Sequence, residues 1–214
     1  MRLFVITSIL ISFILFTLIL GGCSNNLLIK KKQSDEYSTQ KTNQITWLQH
    51  KKELSQINKW QFSGRFGAKT DTENWNGSIN WAQNDLQYKI NISGPLSSGS
   101  ILLQGTENYS QLKLSDDTPF IDTDPQQLLQ DHTGLKLPVN ELRYWLLGLP
   151  DPQSKFDTVE INEHGQLSRL TQNNWEVSFK RYTSINELQL PDKIFLVNHE
   201  INVRLIIQKW QILS

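Results

Sequence analysis

The chain has one cysteine, one methionine and no excess of either charge, with 21 basic residues balanced by 21 acidic ones. A lone cysteine excludes an internal disulfide, so packing alone must hold the fold. A net charge of zero removes the electrostatic footprint of a nucleic-acid binder. The four histidines, His50, His132, His164 and His199, are scattered and lack metal-ligand spacing. No Gly-x-Ser-x-Gly elbow occurs; the nearest cluster, Gly94-Pro95-Leu96-Ser97-Ser98-Gly99, has the wrong spacing. A phosphate-binding loop and a dinucleotide fingerprint are also missing. Asp116, Asp117, Asp122 and Asp124 fall among turn-forming residues, where capping explains them better than paired acid-base work. The sequence therefore disfavours an enzyme and predicts neither a metal nor a cofactor.

What the chain does have begins at the N-terminus. Arg2 precedes an apolar run over residues 3 to 20, interrupted only by Thr7, Ser8, Ser12 and Thr17, and ending in Leu20-Gly21-Gly22-Cys23. Charge, apolar core and small residues in that order make a signal peptide over 1–22. A membrane-spanning helix is the alternative at this length. The Leu-Gly-Gly-Cys ending favours cleavage before Cys23, whose thiol takes a covalent diacylglyceryl group. Ser24, rather than Asp, follows the lipidated position; outer-membrane rather than inner-membrane residence is expected.

Residues 23–42 are polar and without periodicity, which predicts a flexible tether. Lys30 to Lys32 are read as solvated, with contact to anionic headgroups as the alternative. Ile45, Trp47, Leu48, Leu54 and Ile57 approach helical spacing, which predicts an amphipathic helix over about 44 to 58. The period then changes to two. Trp60, Phe62, Gly64, Phe66 and Ala68 alternate with Gln61, Ser63, Arg65 and Gly67; Trp75 to Trp81 and Leu86 to Ile92 alternate likewise. Thr123-Asp124-Pro125 opens one short helix, and Pro138 to Gly148 frames another. Strands are predicted again near 156–161, 166–171, 174–183, 193–198 and 202–211. The fold class is mainly β: one open, half-closed antiparallel barrel of 10 or 11 strands over residues 43–214, with three helices covering an apolar cavity. Seven tryptophans are many for this length. Trp60, Phe66, Trp81, Ile90 and Trp145 are candidates for the cavity lining, with a solid packed core as the alternative.

The lipobox cysteine is followed by three features in a fixed order. They are the opening strand Trp60-Gln61-Phe62-Ser63-Gly64-Arg65, the loop Ser93-Gly94-Pro95-Leu96-Ser97, and Tyr144-Trp145-Leu146-Leu147-Gly148-Leu149-Pro150 with the later Leu190-Pro191-Asp192-Lys193-Ile194. Together they make the chain resemble the LolB family of outer-membrane lipoprotein receptors across most of the mature domain. The resemblance implies an open half-barrel that accepts lipoproteins from a periplasmic carrier and places them in the outer membrane without using nucleotide. It implies a monomer facing the periplasm, lipid-anchored in the inner leaflet of the outer membrane. It matches Leu96 to the family's exposed loop residue, with Gly94 and Pro95 forming the turn; Ser97 departs from the glycine expected there. The residues agree: a Leu between turn-forming and small polar neighbours has little to pack on, so Leu96 is predicted to dip into the bilayer, with folding back onto the sheet edge or plain surface exposure as the alternative. Three other readings compete: a diffusing carrier, against which Cys23 argues; a structural scaffold of outer-membrane assembly with a solid core; and a hydrolase, for which no nucleophile and base are in evidence.

Overall fold

The structure, a computed structural model, describes residues 25–94, 99–115 and 118–213. The chain divides into two compact units, Met1–Thr42 and Asn43–Ser214. Among the described residues, the elements are α1 (Asn25–Leu54), β1 (Lys59–Lys69), β2 (Asn74–Asn84), β3 (Gln87–Ser93), β4 (Ser100–Thr106), β5 (Tyr109–Leu114) and β6 (Phe120–Asp122). There follow α2 (Pro125–Thr133), α3 (Val139–Trp145), β7 (Phe156–Ile161), β8 (Leu167–Gln172), β9 (Trp175–Ile185), β10 (Leu188–Val197) and β11 (Asn202–Ile212). The sheet and the two short helices belong to the second unit.

Residues 25 to 42, predicted as a flexible tether, fall within α1. No Gly or Pro occurs between Ser24 and Asn58, and Lys, Gln, Glu and Leu favour helix whether or not a face is buried. The apolar stripe also differs from the predicted one. Trp47 and Leu54 are buried, whereas Ile45 and Leu48 are exposed. At 100° per residue Leu54 returns to within about 20° of Trp47, while Ile45 lies about 160° away and Leu48 about 100°. The helix ends at Leu54, and Ser55 to Ile57 form a tighter turn in which Ile57 N–H donates to the Leu54 carbonyl.

All eleven strands form one antiparallel sheet in the order β6-β5-β4-β3-β2-β1-β11-β10-β9-β8-β7. The first and last strands pair with each other, so two meanders flank the β1–β11 seam. The sheet is open, with β6 and β7 as its two edges. Sequence alternation made most strands legible, but the three-residue β6 was too short to show a period. β10 starts at Leu188, ahead of Pro191, where the sequence reading begins it near 193. Proline is tolerated there because the register shifts around Asp192 and because Leu188 to Pro191 pair only with β9. Their other side is satisfied differently: Trp210 Nε1 donates to the Pro191 carbonyl at 2.9 Å, and His50 Nε2 lies 3.0 Å from the Gln189 carbonyl. A second bulge interrupts the β1–β11 register at Ser63/Gly64. A Cβ at Gly64 would collide with the Ile206 carbonyl oxygen, so this close approach needs glycine. The β8–β9 hairpin turns on Asn173 and Asn174, both at positive φ, as a tight primed turn requires.

One sheet face is apolar and buried; the other carries polar rungs such as Gln61–Gln211 and Gln104–Gln111. Gln172, fully buried, ties the segment after α3 to the sheet. Its Oε1 accepts from Trp145 Nε1 and from the Asp151 backbone N–H, each at 2.9 Å. Its Nε2 donates to the carbonyls of Asp151 and Ser154. All four hydrogen-bonding positions of the amide are filled. Gln172→Leu strands two buried donors and weakens two carbonyls, and should lower stability by about 2–4 kcal/mol in urea unfolding followed by tryptophan fluorescence. A loss below the error of that measurement would mean water replaces the amide.

Candidate functional site

The apolar face of β1 to β4 and β11 meets α2 and α3 around one enclosed space. From the sheet come Phe66, Ile79, Trp81, Ile90, Ile92, Ile101, Leu103, Val203 and Leu205; from the helical segment come Leu129, Leu137, Val139 and Leu142. The side chains are all apolar, because period-two alternation keeps most polar residues of these strands on the other face; Gln83, beyond Trp81 on the buried face of β2, is an exception and lies outside this lining. The void between them is only about 10 Å³, room for a single water at most and too apolar to hold one. In this structure the helical segment fills nearly all the space against this part of the sheet.

Of the sequence candidates, Phe66, Trp81 and Ile90 line this void together. Trp60 lies on the same face one step away. Its ring is 5.8 Å from Trp81 and 5.5 Å from Trp210, within an aromatic group that also takes in Phe62. Trp145 is elsewhere: its indole is committed to Gln172 and packs 6.4 Å from Trp175, so it braces the segment after α3 and is not among the residues around this void. Cys23, Pro95 and Leu96 lie outside the described residues. The neck of the β3–β4 loop is described: Gly94 N–H donates to the Gly99 carbonyl at 3.2 Å, and Gly99 has φ 92°. The sequence reading did not count Leu129, Leu137 and Leu142 as lining; α2 and α3 were read from their Pro and Gly boundaries, which do not show which side of a helix meets the sheet.

A second, open cleft of about 400 Å³ lies beside the packed face. Leu54, Ile57, Trp60, Leu86, Tyr144, Leu147 and Leu149 line it, with Lys51, Asp85 and Arg143 among its polar members. Polar atoms near it are mostly committed: Trp81 Nε1 donates to Gln83 Oε1, and Gln83 Nε2 donates to the Asp85 carbonyl. Arg143 Nε is an exception, being buried without an acceptor among the described residues. Leaving such a donor unpaired costs on the order of 1–3 kcal/mol. No group of acidic, histidine or cysteine side chains that could hold a metal occurs among the described residues, and no helix among them is long and apolar enough to cross a membrane.

Residues 58–210 match the family described as "Outer membrane lipoprotein LolB". Relatives of that name include one from Nitrosococcus oceani, 36% identical over 169 residues, covering 79% of this chain and 84% of the relative. Another, from Pseudomonas aeruginosa, is 33% identical over 166 residues and covers 78% and 80%. Among solved structures, a LolA superfamily protein from Nitrosomonas europaea superposes with a TM-score of 0.49 at 6% identity, covering 80% of this chain and 94% of that one.

The helical cover is tied down at identifiable points. Asp124 caps α2, its Oδ1 accepting from the backbone N–H of Gln126 and Gln127, and Gly134 ends the helix at φ 71°. Beyond it, Lys136 Nζ lies 2.9 Å from Glu200 Oε2 on the β10–β11 turn, with His199 on the carboxylate's other side. The hydrogen bond from Lys136 holds the Glu200 carboxyl below its ordinary range. A depressed carboxyl contributes stability above its unfolded pKa and loses it as pH falls through the lowered folded value. Glu200→Gln should therefore melt below the wild type at neutral pH, and the gap should close from about pH 5 downward. A gap that stays constant into acid would show that the ion pair does not hold this segment.

Proposed function

The chain belongs to the LolB family of outer-membrane lipoproteins, which is not a family of enzymes; from that premise we propose that it accepts lipoproteins from a periplasmic carrier and inserts them into the outer membrane. Their acyl chains bind against the sheet face beneath α2 and α3. Cys23 carries the covalent lipid that holds the protein on the inner leaflet of the outer membrane, facing the periplasm. The observation that carries this reading is the wholly apolar lining shared by five strands and a separate helical segment. Such a lining imposes no directional bonds and accepts acyl chains of any protein.

The energetics favour transfer without release into water. Two or three acyl chains at about 0.8 kcal/mol per buried methylene amount to tens of kcal/mol. Passing a chain from one apolar enclosure to another leaves a difference of a few kcal/mol, enough to set direction because about 1.4 kcal/mol is tenfold. The packed void adds a condition: α2 and α3 must move off the sheet before a chain can lie there. Each apolar contact they give up is replaced by one to the cargo.

The near absence of free volume also favours a second reading, a structural lipoprotein with a solid core. Binding of a fluorescent acylated peptide separates the two. Ile90→Glu places a charge among the lining residues and should weaken binding by about tenfold or more while circular dichroism remains native. A folded Ile90→Glu protein that binds as the wild type does would leave the solid-core reading standing.

Leu96 supplies the membrane step in this proposal. One leucine contributes about 2–3 kcal/mol at an apolar interface, too little to anchor a protein but enough to bias one already tethered. Leu96→Glu should load lipoprotein normally and fail to deliver it to liposomes, so that cargo accumulates on the receptor. Delivery at the wild-type rate would remove the loop from the mechanism.

A further inference from the structure

Arg143 stands between the 400 Å³ cleft and a smaller one of about 190 Å³ on the side of Tyr88 and Asn140. Its Nη2 donates to Tyr144 Oη at 3.0 Å, and its Cζ sits 4.7 Å from the Tyr144 ring centroid. Its Nε is buried with no acceptor, and no ion pair joins it to a carboxylate among the described residues. A guanidinium is a rigid fork of five N–H donors that prefers planar oxygen acceptors. Here the Nε donor is unused, beside a cleft whose wall is mostly hydrocarbon, with Lys51, Ser55, Asn58, Gln83 and Asp85 as its other polar members. That pairing of features matches a ligand that is itself mostly hydrocarbon and ends in a carbonyl.

We propose that this cleft, walled by Leu54, Trp60, Tyr144, Leu147 and Leu149, is a subsite for one fatty acyl chain of the cargo, with the chain's carbonyl oxygen accepting a hydrogen bond from Arg143. The proposal rests on the acyl-binding reading above and adds to it a polar determinant and a first position. The sheet face offers about 10 Å³ until the helices move, whereas the cleft already falls in the range of about 300–1,000 Å³ typical of small-molecule sites. A chain therefore lodges in the cleft without displacing any helix. It does so against α3, which carries Arg143 toward the cleft and Leu142 toward the closed face. Trp60 in the cleft and Trp81 on the closed face are 5.8 Å apart, so an aromatic step joins the two sites. Hydrocarbon contacts alone leave a chain free to slide; the carbonyl contact fixes its depth and distinguishes an acyl chain from an alkyl one.

The test uses the full lipidated chain in liposomes and two synthetic diacylglyceryl-cysteine peptides with a photoreactive diazirine on the chain. One has ester linkages; the other is its ether analogue without those carbonyls. Crosslinked residues are mapped by mass spectrometry. The ester peptide should label Leu54, Trp60 and the segment Tyr144 to Leu149. Arg143→Met keeps the side-chain stem and should lower that labelling by about tenfold, the order expected for losing one charge-assisted hydrogen bond, without changing the labelling by the ether peptide. Leu86→Trp, at a half-exposed position on the rim, should obstruct the cleft and reduce labelling by both peptides. Labelling confined to Phe66, Ile90 and Leu103, or labelling by the ester peptide that Arg143→Met leaves intact, would overturn the subsite while acyl binding stands. No labelling above background with either peptide would overturn acyl binding itself.

Discussion

The passage of the chain from one sheet edge to the other constrains everything else in this fold. β6 and β7 are consecutive strands, yet they occupy opposite ends of an eleven-stranded sheet. Laid flat, ten strand spacings amount to about 48 Å. The segment between the two edges cannot skirt the sheet and must cross a face, and the only face that rewards apolar contact is the one bearing Phe66, Ile79, Ile90 and Leu103. α2 and α3 are therefore a cover by topology. Their apolar residues, Leu129, Leu137, Val139 and Leu142, complete a core that the sheet alone would leave half exposed.

A crossing segment of this kind is held at its ends and along its course by different forces. On the β7 side the Gln172 amide fixes Asp151, Ser154 and Trp145 through four hydrogen bonds. On the β6 side the Asp124 cap and the Lys136–Glu200 pair are exposed. Exposed ion pairs contribute little compared with buried, fully satisfied amides. The two ends of the cover thus differ in how firmly they are attached, with the looser attachment at α2, which lies over β4 to β6. Around the void itself the cover meets the sheet only through apolar side chains, which have no preferred geometry and are exchanged without stranding a donor or acceptor.

The sheet was legible in the sequence because a half-buried strand writes its burial into every second residue. Trp60 to Ala68 and Tyr88 to Ile92 kept the predicted face, and Phe66, Trp81 and Ile90 come together around one small void. The short helices were legible from Asp124, Pro125, Pro138 and Gly148, residues whose backbone or capping preferences act locally. Several differences between the sequence reading and the structure come from partners distant in sequence. Trp145 looked like cavity lining because an indole is mostly hydrocarbon, but its one N–H is claimed by Gln172, 27 residues away. The strand was read as starting near 193 rather than at Leu188 because the gap between β10 and β11, and Trp210 filling it, are not visible locally. Polar composition was taken for flexibility over residues 25 to 42, although composition reports solvent exposure and helix propensity separately. Arg143 carried no signal at all, since an unpaired buried donor is defined only by what fails to surround it.

A filled site has a consequence for a protein that must give up what it binds. On the proposed function, cargo competes with the helical cover for one apolar surface, so the measured affinity is the intrinsic one reduced by the fraction of molecules with the cover displaced. An always-open face would hold acyl chains with the full free energy of their burial, and return to the membrane would be slow. A face that its own helices can refill lowers the barrier to departure, because Leu129, Leu137, Val139 and Leu142 take over each contact the cargo relinquishes. Direction then needs no nucleotide. It requires only that the cover return more readily when the cleft lies against a bilayer than when it lies against a carrier, since the bilayer accepts the chains and a carrier presents no deeper sink.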